Sequence, residues 1–348
     1  MVRSLSERTR STCQRLLRKS VAVTCGKVKK SLGTKRGVAA ALSRMCKNKE
    51  LLRVSRGTYV PHACNDLSIP TSVFPWWGSK KRLVRPLVSI ILTEVLRARC
   101  EGIRASRIVS PFVGTGIVEV TLQNLGEEVR AFDTDSRVVN MHRALRTAAL
   151  RKLVARHFAY EVCRLRKQSA AQQVKRYKHI LRDAVLSSSK SHGEAQLAAR
   201  WNLGMRCSFF GMLRRSSGFV RSKPSKIAVG RICRALEGHR GLGNACARKD
   251  VFDVLRDTPR RDFLFLDPPY LLESSERQYE GGDFGLEKHA KLANALKGRN
   301  FVLCHREDPS IRDLYKWCEI LVVPQIMNIN RAGKSGMEMI IIGRKSGV

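Results

Sequence analysis

The sequence predicts an α/β protein: a doubly wound, mostly parallel sheet carrying a helical insertion and preceded by a small basic module. Three observations carry this expectation. From residue 74 onward, short apolar runs alternate with helical patterns, as they do in a sheet built from β-α-β units. One run, FLFLDPPY at 263–270, ends in a carboxylate, two prolines and an aromatic. Another, VSPFVGTGIVEV at 109–120, passes from strand to glycine turn to helix.

Charge narrows the class of partner. The chain has 66 Lys and Arg against 29 Asp and Glu, a formal net charge of +37. Such an excess repels itself unless a polyanion offsets it, so nucleic acid is the expected partner, with an anionic membrane as the alternative. No apolar stretch approaches the ~20 residues that a membrane-spanning helix needs. The opening MVRSLSERTRSTCQRLLRKS has no apolar secretory core. The eleven cysteines form no CxxC pair, which argues against a zinc site or a disulfide framework. They read as reduced, intracellular and mostly packing residues.

The elements follow in order. Residues 1–62 hold 16 Lys and Arg against only Glu7 and Glu50, a net of 16 − 2 = +14, and form the basic module. In RGVAAALSRMCK (36–47), Val38, Leu42 and Met45 fall at helical spacing. In the following NKELLRVSRGTYV, Leu51, Leu52, Val54, Tyr59 and Val60 predict two short strands turning at Arg56-Gly57. A basic helix followed by a hairpin resembles a winged helix-turn-helix, with Arg53 and Arg56 as candidate DNA contacts; a basic helical arm with a loose hairpin is the alternative. Residues 63–73, with Asn65, Asp66, Ser68, Pro70, Thr71 and Ser72, read as a linker to a domain spanning 74–348. Strands are expected at 108–113, 129–133, 262–267, 300–305 and 337–343. Residues 137–200 break the alternation with a polar helical stretch too long for an ordinary crossover, which places an inserted subdomain near 145–225.

FLFLDPPY is the strongest chemical motif. Open α/β sheets bind ligands beyond the carboxyl ends of their strands, where this carboxylate falls. An exocyclic amine of a nucleobase is a poor nucleophile because its lone pair is delocalised into the ring. The Asp267 carboxylate and the Pro268 carbonyl can accept its two N–H bonds and favour a pyramidal nitrogen. Pro268 and Pro269 fix the backbone. Tyr270 offers a ring on which an extruded base could stack. A plain strand-to-loop turn would also use Asp-Pro. In PFVGTG, Pro111, Phe112, Gly114 and Gly116 form a turn at a helix start that lets the backbone approach a ligand. Glu119 stands where GxGxxG has its third glycine, which argues against a dinucleotide. Asp133 ends the next strand, where a carboxylate can bind ribose hydroxyls. FPWWGSKKRL (74–83) brings flat apolar surface at Trp76 and Trp77, a turn at Gly78-Ser79 and a cation at Lys80, or else core tryptophans beside a solvated lysine.

In this order, WWGSK, PFVGTG, a helical insertion and DPPY, the chain resembles the Dam-like DNA adenine-N6 methyltransferases from residue 74 to about 345. RWNLGMRCSFFGMLRRSSGFV (200–220), CARKDVFDVL (246–255), HREDPSIRDLY (305–315) and MEMIIIG (337–343) resemble further segments of that family. The resemblance implies an S-adenosylmethionine-dependent methyltransferase fold, with cofactor contacts at Trp76, Lys80, Asp133 and Asp267, and with Asp250 near the cofactor adenine. It implies catalysis at Asp267, Pro268, Pro269 and Tyr270 on a flipped adenine, and DNA contacts in the insertion at Arg214 and Arg215. The chain departs from the family at Gly78-Ser79, where two glycines often precede the lysine, and at Phe210, where Asn is frequent. Cytosine N4, adenine in RNA, or an inactive fold that only binds DNA are the alternatives. His289 and His305 read as structural or solvated residues.

Overall fold

The computed structural model describes residues 4–17, 22–34, 37–48, 50–55, 58–61, 69–75, 79–103, 107–185, 193–208, 223–271, 284–326 and 335–345. Trp76, Arg56, Arg214 and Arg215 lie outside these described residues.

The amino-terminal module contains α1 (Leu5–Leu17), β1 (Val23–Thr24), α2 (Cys25–Leu32), α3 (Val38–Lys47), β2 (Leu51–Ser55) and β3 (Thr58–Pro61). Its strands make an antiparallel sheet in the order β1-β3-β2. It has a small core of its own, built from Cys13, Val23, Val28, Val38, Leu42, Met45, Leu51 and Tyr59. The expected helix and hairpin are present, and α1, β1 and α2 add to them.

The larger part begins with α4 (Val84–Cys100) and continues through β4 (Ile108–Ser110), α5 (Ile117–Asn124), β5 (Val129–Asp133) and α6 (Ser136–Ala144). A helical block follows: α7 (Ala148–Arg166), α8 (Ala170–Val185), α9 (Glu194–Cys207), α10 (Lys223–Lys226) and α11 (Val229–Gly238). The chain then returns to the sheet with β6 (Cys246–Arg248), α12 (Val251–Asp257), β7 (Phe263–Leu266), α13 (Leu286–Leu296), β8 (Phe301–Arg306), α14 (Pro309–Leu314), β9 (Glu319–Ile326) and β10 (Ser335–Gly343).

The seven strands lie in the order β6-β5-β4-β7-β8-β10-β9. The first five are parallel, and β10 runs antiparallel to both of its neighbours. This is the doubly wound, mostly parallel sheet that the sequence predicts. Strand β7 shows why it needs cover on both faces. All four of its residues are buried, and successive side chains point to opposite faces. Phe263 and Phe265 enter one apolar core with Ile90 and Ile91 of α4, while Leu264 and Leu266 enter the other with Val254 of α12 and Leu292 of α13. A strand buried on both sides reads as a continuous apolar run, as it does here.

The helical block sits between β5 and β6. Buried Glu161 of α7 pairs with Arg176 of α8 at 2.6 Å and with Arg200 of α9 at 3.0 Å, tying three helices through one carboxylate. Asn202 and Arg206 of α9 both donate to the Val73 carbonyl at 2.9 Å, which fastens the segment leading into Phe74. No helix among the described residues is long and apolar enough to cross a membrane.

Candidate active site

The strand order creates the crevice. From β4 the chain moves outward to β5 and β6, then returns to the other side of β4 as β7. The carboxyl ends of β4 and β7 therefore flank a topological switch point, where open α/β sheets bind ligands. The β4 turn, with buried Pro111 and half-buried Phe112, the end of β5 at Asp133, the residue before α12 at Asp250 and the residue after β7 at Asp267 all face this edge.

Asp133 fixes the β4 turn. Its carboxylate accepts from the Gly114 N–H at 3.1 Å and from the Asp135 N–H at 2.9 Å. Burial pushes its carboxyl up to about 6, against the pull of those amides. Gly114 and Gly116 have φ of 47° and 65°, a region that favours glycine. The space at Gly116 is taken by protein: a Cβ there would lie 2.7 Å from Cε1 of His142. The same histidine hydrogen-bonds the Gly114 carbonyl at 3.0 Å. Gly116 thus seats a buried histidine behind the turn, and Gly114 is held from both sides, its N–H by Asp133 and its carbonyl by His142. Glu119 is buried against the Ser110 hydroxyl at 2.6 Å, and burial pushes its carboxyl up to about 7. Asp250 is exposed and caps α12, one oxygen accepting from the Phe252 N–H at 2.9 Å.

Asp267 is held by a cation from far away in sequence. Lys80, in a 3-10 turn at Lys80–Arg82, brings its Nζ to 2.6 Å and 2.8 Å from the two Asp267 oxygens. Glu338 of β10 lies 3.5 Å from the same Nζ. The Lys80 and Glu338 side chains are 3% and 0% exposed, and that of Asp267 is 21% exposed. Burial opposes the charge on Lys80, but the two carboxylates outweigh it and hold the ammonium protonated. Burial, with the charge of Glu338, pushes the Asp267 carboxyl up to about 6 although Lys80 opposes the rise. The Tyr270 hydroxyl donates to Glu338, and its ring lies 4.8 Å from the Lys80 Nζ and 4.8 Å from the His305 ring.

Two histidines fix the backbone of this turn. His289 Nε2 donates to the Pro269 carbonyl at 3.1 Å. His305 Nδ1 donates to the Arg306 carbonyl at 2.7 Å, so its Nε2 is free to accept from the Leu271 N–H at 3.0 Å. Burial pushes both imidazoles down to about 4, so both are neutral near pH 7. With the Pro269 carbonyl engaged, the Pro268 carbonyl is the one that accepts no hydrogen bond among the described residues. An aromatic series runs from Phe112 through Phe284, His289 and His305 to Tyr270, with ring centroids 4.8–5.6 Å apart. It links the β4 turn to the β7 turn through packed rings, with His289 and His305 fully buried.

A model of the D12 class N6 adenine-specific DNA methyltransferases matches residues 76–217 and 234–329, well over half of the chain. The chain belongs to that family. The methyltransferase therefore transfers a methyl group to N6 of adenine at specific sites in DNA, which bears out the family resemblance, the fold and the reaction read from the sequence. No curated protein matches the chain.

Of the residues expected in the site, Lys80, Pro111, Phe112, Gly114, Asp133, Asp250, Asp267 and the rest of DPPY converge on the crevice of the methyltransferase, while Gly116 packs behind it. Arg53 lies exposed on β2 in the amino-terminal module. Sequence reasoning missed Glu338 and passed over the two histidines. His305→Phe keeps a ring but removes the acceptor, leaving the Leu271 N–H unsatisfied at a cost of about 1–3 kcal/mol. The turn then loosens, and kcat should fall by about tenfold or more while KM for the methyl donor stays put. Thermal unfolding and steady-state kinetics on the same preparation check this. An unchanged kcat would make His305 a packing residue only.

The crevice fits a cationic nucleoside cofactor. Asp133 retains acceptor capacity beyond its two backbone bonds, and Asp250 keeps one uncommitted oxygen. A diol, an exocyclic amine and a sulfonium all suit such acceptors.

Proposed function

We propose that the methyl donor is S-adenosylmethionine and that the target adenine is flipped out of duplex DNA into the crevice beside Asp267. The observation that carries this reading is the pairing of two acceptors at the end of β7: the Asp267 carboxylate, oriented by Lys80, and the Pro268 carbonyl, with its neighbour at Pro269 already engaged. Together they suit the two N–H bonds of one amino group.

When bound, the cofactor supplies an electrophilic methyl group on a sulfonium. Asp133 and Asp250 would hold its ribose and adenine, and Phe112 would pack on a ring. Asp267 and Pro268 draw the N6 hydrogens out of the base plane, which localises the nitrogen lone pair. That lone pair would take the methyl group which the bound cofactor supplies, the donor's sulfur keeping the electron pair of its bond to carbon. The N6 proton passes toward the Asp267 carboxylate, whose raised pKa makes it a better acceptor than an ordinary aspartate. Tyr270 borders the base, with its hydroxyl anchored by Glu338. Methyl transfer to an amino group that is stacked and paired inside a duplex requires extrusion of the base. The work of the enzyme lies with the DNA inside the cell.

The test is direct. The protein is incubated with labelled S-adenosylmethionine and mixed DNA, RNA and nucleosides, and the modified nucleoside is identified by mass spectrometry. N6-methyladenine in DNA is expected; N4-methylcytosine alone, or label in RNA alone, would overturn the reading. Asp133→Ala should raise KM for S-adenosylmethionine by about tenfold or more while leaving DNA affinity intact, because it removes an acceptor for the donor and releases the Gly114 and Asp135 N–H groups at the same turn. An unchanged KM would remove Asp133 from the cofactor site.

A further inference from the structure

The family match begins at residue 76, so the module of residues 4–61 lies outside it. This module has its own core and the element order α1-β1-α2-α3-β2-β3, in which two helices precede a hairpin that pairs back onto a short first strand. That is the arrangement of a winged helix-turn-helix, in which the second helix of the pair enters the DNA groove. Two left-handed glycines set the corner between the pair: Gly33 at φ 66° ends α2 and Gly37 at φ 72° precedes α3.

Helix α3 is divided sharply. Val38, Ala41, Leu42 and Met45 are buried. Ala40, Ser43, Arg44 and Lys47, at i, i+3, i+4 and i+7, line an exposed face beside Ala39. Small residues toward the amino end leave the backbone unobstructed, and the two long cations follow within two turns. Among the described residues neither Arg44 nor Lys47 has an ion pair or a side-chain hydrogen bond. The module's two acids, by contrast, both serve internal contacts. Glu7 and Ser4 cap α1 reciprocally, at 2.8 Å and 3.3 Å. Glu50 takes a two-pronged contact from Arg10, at 2.7 Å for each bond. With both acids engaged in this way, the sequence of residues 1–62 keeps a large basic excess, 16 Lys and Arg against two acids.

We infer that α3 is a second DNA-reading element of this methyltransferase, seated in the major groove of duplex DNA with Ser43, Arg44 and Lys47 toward base edges and Arg53 of β2 toward the adjoining phosphates. The dimensions agree, since an α-helix is about 10–12 Å across and the major groove about 12 Å wide. Charge alone would also suit RNA or an anionic membrane. The deep, narrow major groove of an RNA helix does not admit a helix, and α3 exposes no large apolar residue to enter a bilayer. The inference needs the substrate to be duplex DNA and does not depend on the cofactor or on Asp267.

The experiment uses the full chain and three exposed-face variants: Ala40→Glu, Arg44→Ala and Lys47→Ala. Binding to fluorescent duplex DNA is measured without methyl donor across a salt series, and each protein is also used to select from a duplex library of randomised sequence. Ala40→Glu and Arg44→Ala should weaken binding by about five- to a hundredfold, the scale of one lost base contact. The selected sequence should lose a base preference in the Arg44 variant. Each lost phosphate contact should flatten the salt slope by about 0.9 log units per log unit. Thermal unfolding should match the parent, since all three side chains are exposed, and kcat at saturating DNA should be preserved. Unchanged affinity, salt slope and selected sequence in variants that fold normally would overturn the inference. Equal weakening on duplex RNA and duplex DNA would overturn it too. If the donor or the modified base proved different, the binding and selection results would still decide the role of α3.

Discussion

Asp267→Ala will remove turnover, lowering kcat by roughly 10²–10⁴-fold, the range associated with loss of a positioned proton acceptor. The carboxylate serves the reacting amino group. Affinity for DNA arises mainly from Lys and Arg on phosphates and should be nearly unchanged. The fold should survive because Lys80 keeps Glu338 as a counter-charge at 3.5 Å. Removing Asp267 leaves a cation facing an anion, whereas the native cluster sets one cation against two anions. Single-turnover methyl transfer and DNA-binding anisotropy on the same variant measure the two effects separately. A near-normal rate would reduce Asp267 to a turn residue.

Lys80→Met should be harmful in both stability and activity. It leaves Asp267 and Glu338 in one buried cluster with no cation. Breaking a buried pair by deleting one partner costs about 3–5 kcal/mol. The sign of the pH effect follows from the acceptor role of Asp267, which requires the ionised form. In the native protein burial raises its carboxyl to about 6, so kcat should be full at neutral pH and fall as pH drops through about 6. Without Lys80 the stabilising cation is gone, and the limb should move to higher pH, with each unit corresponding to about 1.4 kcal/mol. Adding Glu338→Gln to Lys80→Met removes the second anion and should return part of the stability and part of the shift. A Lys80→Met enzyme with the parental pH profile would show that the ion pair does not tune Asp267.

How much of this was legible in sequence depends on range. The five expected strands are in place as β4, β5, β7, β8 and β10 because strands covered on both faces must be apolar throughout. Strand β6, only CAR, is too short to show a pattern, and β9 holds Pro324 on an edge of the sheet, where a missing N–H is tolerated. In the amino-terminal module, α3 declares itself through Val38, Leu42 and Met45. Helix α1 does not, because the residues that it buries are Thr9, Thr12 and Cys13, so its inner face carries little apolar signal. DPPY, PFVGTG and Asp133 were readable because the chemistry and the turn lie within a few residues. Glu338 was not. It is the only acid in the apolar run MEMIIIG, but its partners Lys80 and Tyr270 are reached only through the register of β10 against β8, which sets Glu338 opposite Arg306. The same register places His305 opposite Met339, under the DPPY turn.

The position of β10 also bears on biosynthesis. Chains emerge from the ribosome amino end first and begin to fold as they appear. Among the described residues β9 pairs with β10 alone, and β10 fills the gap between β9 and β8. Until residues 335–343 have been translated, β9 has no place in the sheet, β8 presents an open edge, and Lys80 and Asp267 lack their third charge. A nascent chain can hold a nearly complete crevice and still lack the residue that anchors Tyr270. The polypeptide thus gains its finished catalytic centre at the last strand of its sheet to be made, so premature termination upstream of Glu338 should yield a protein with much of the core and none of the activity.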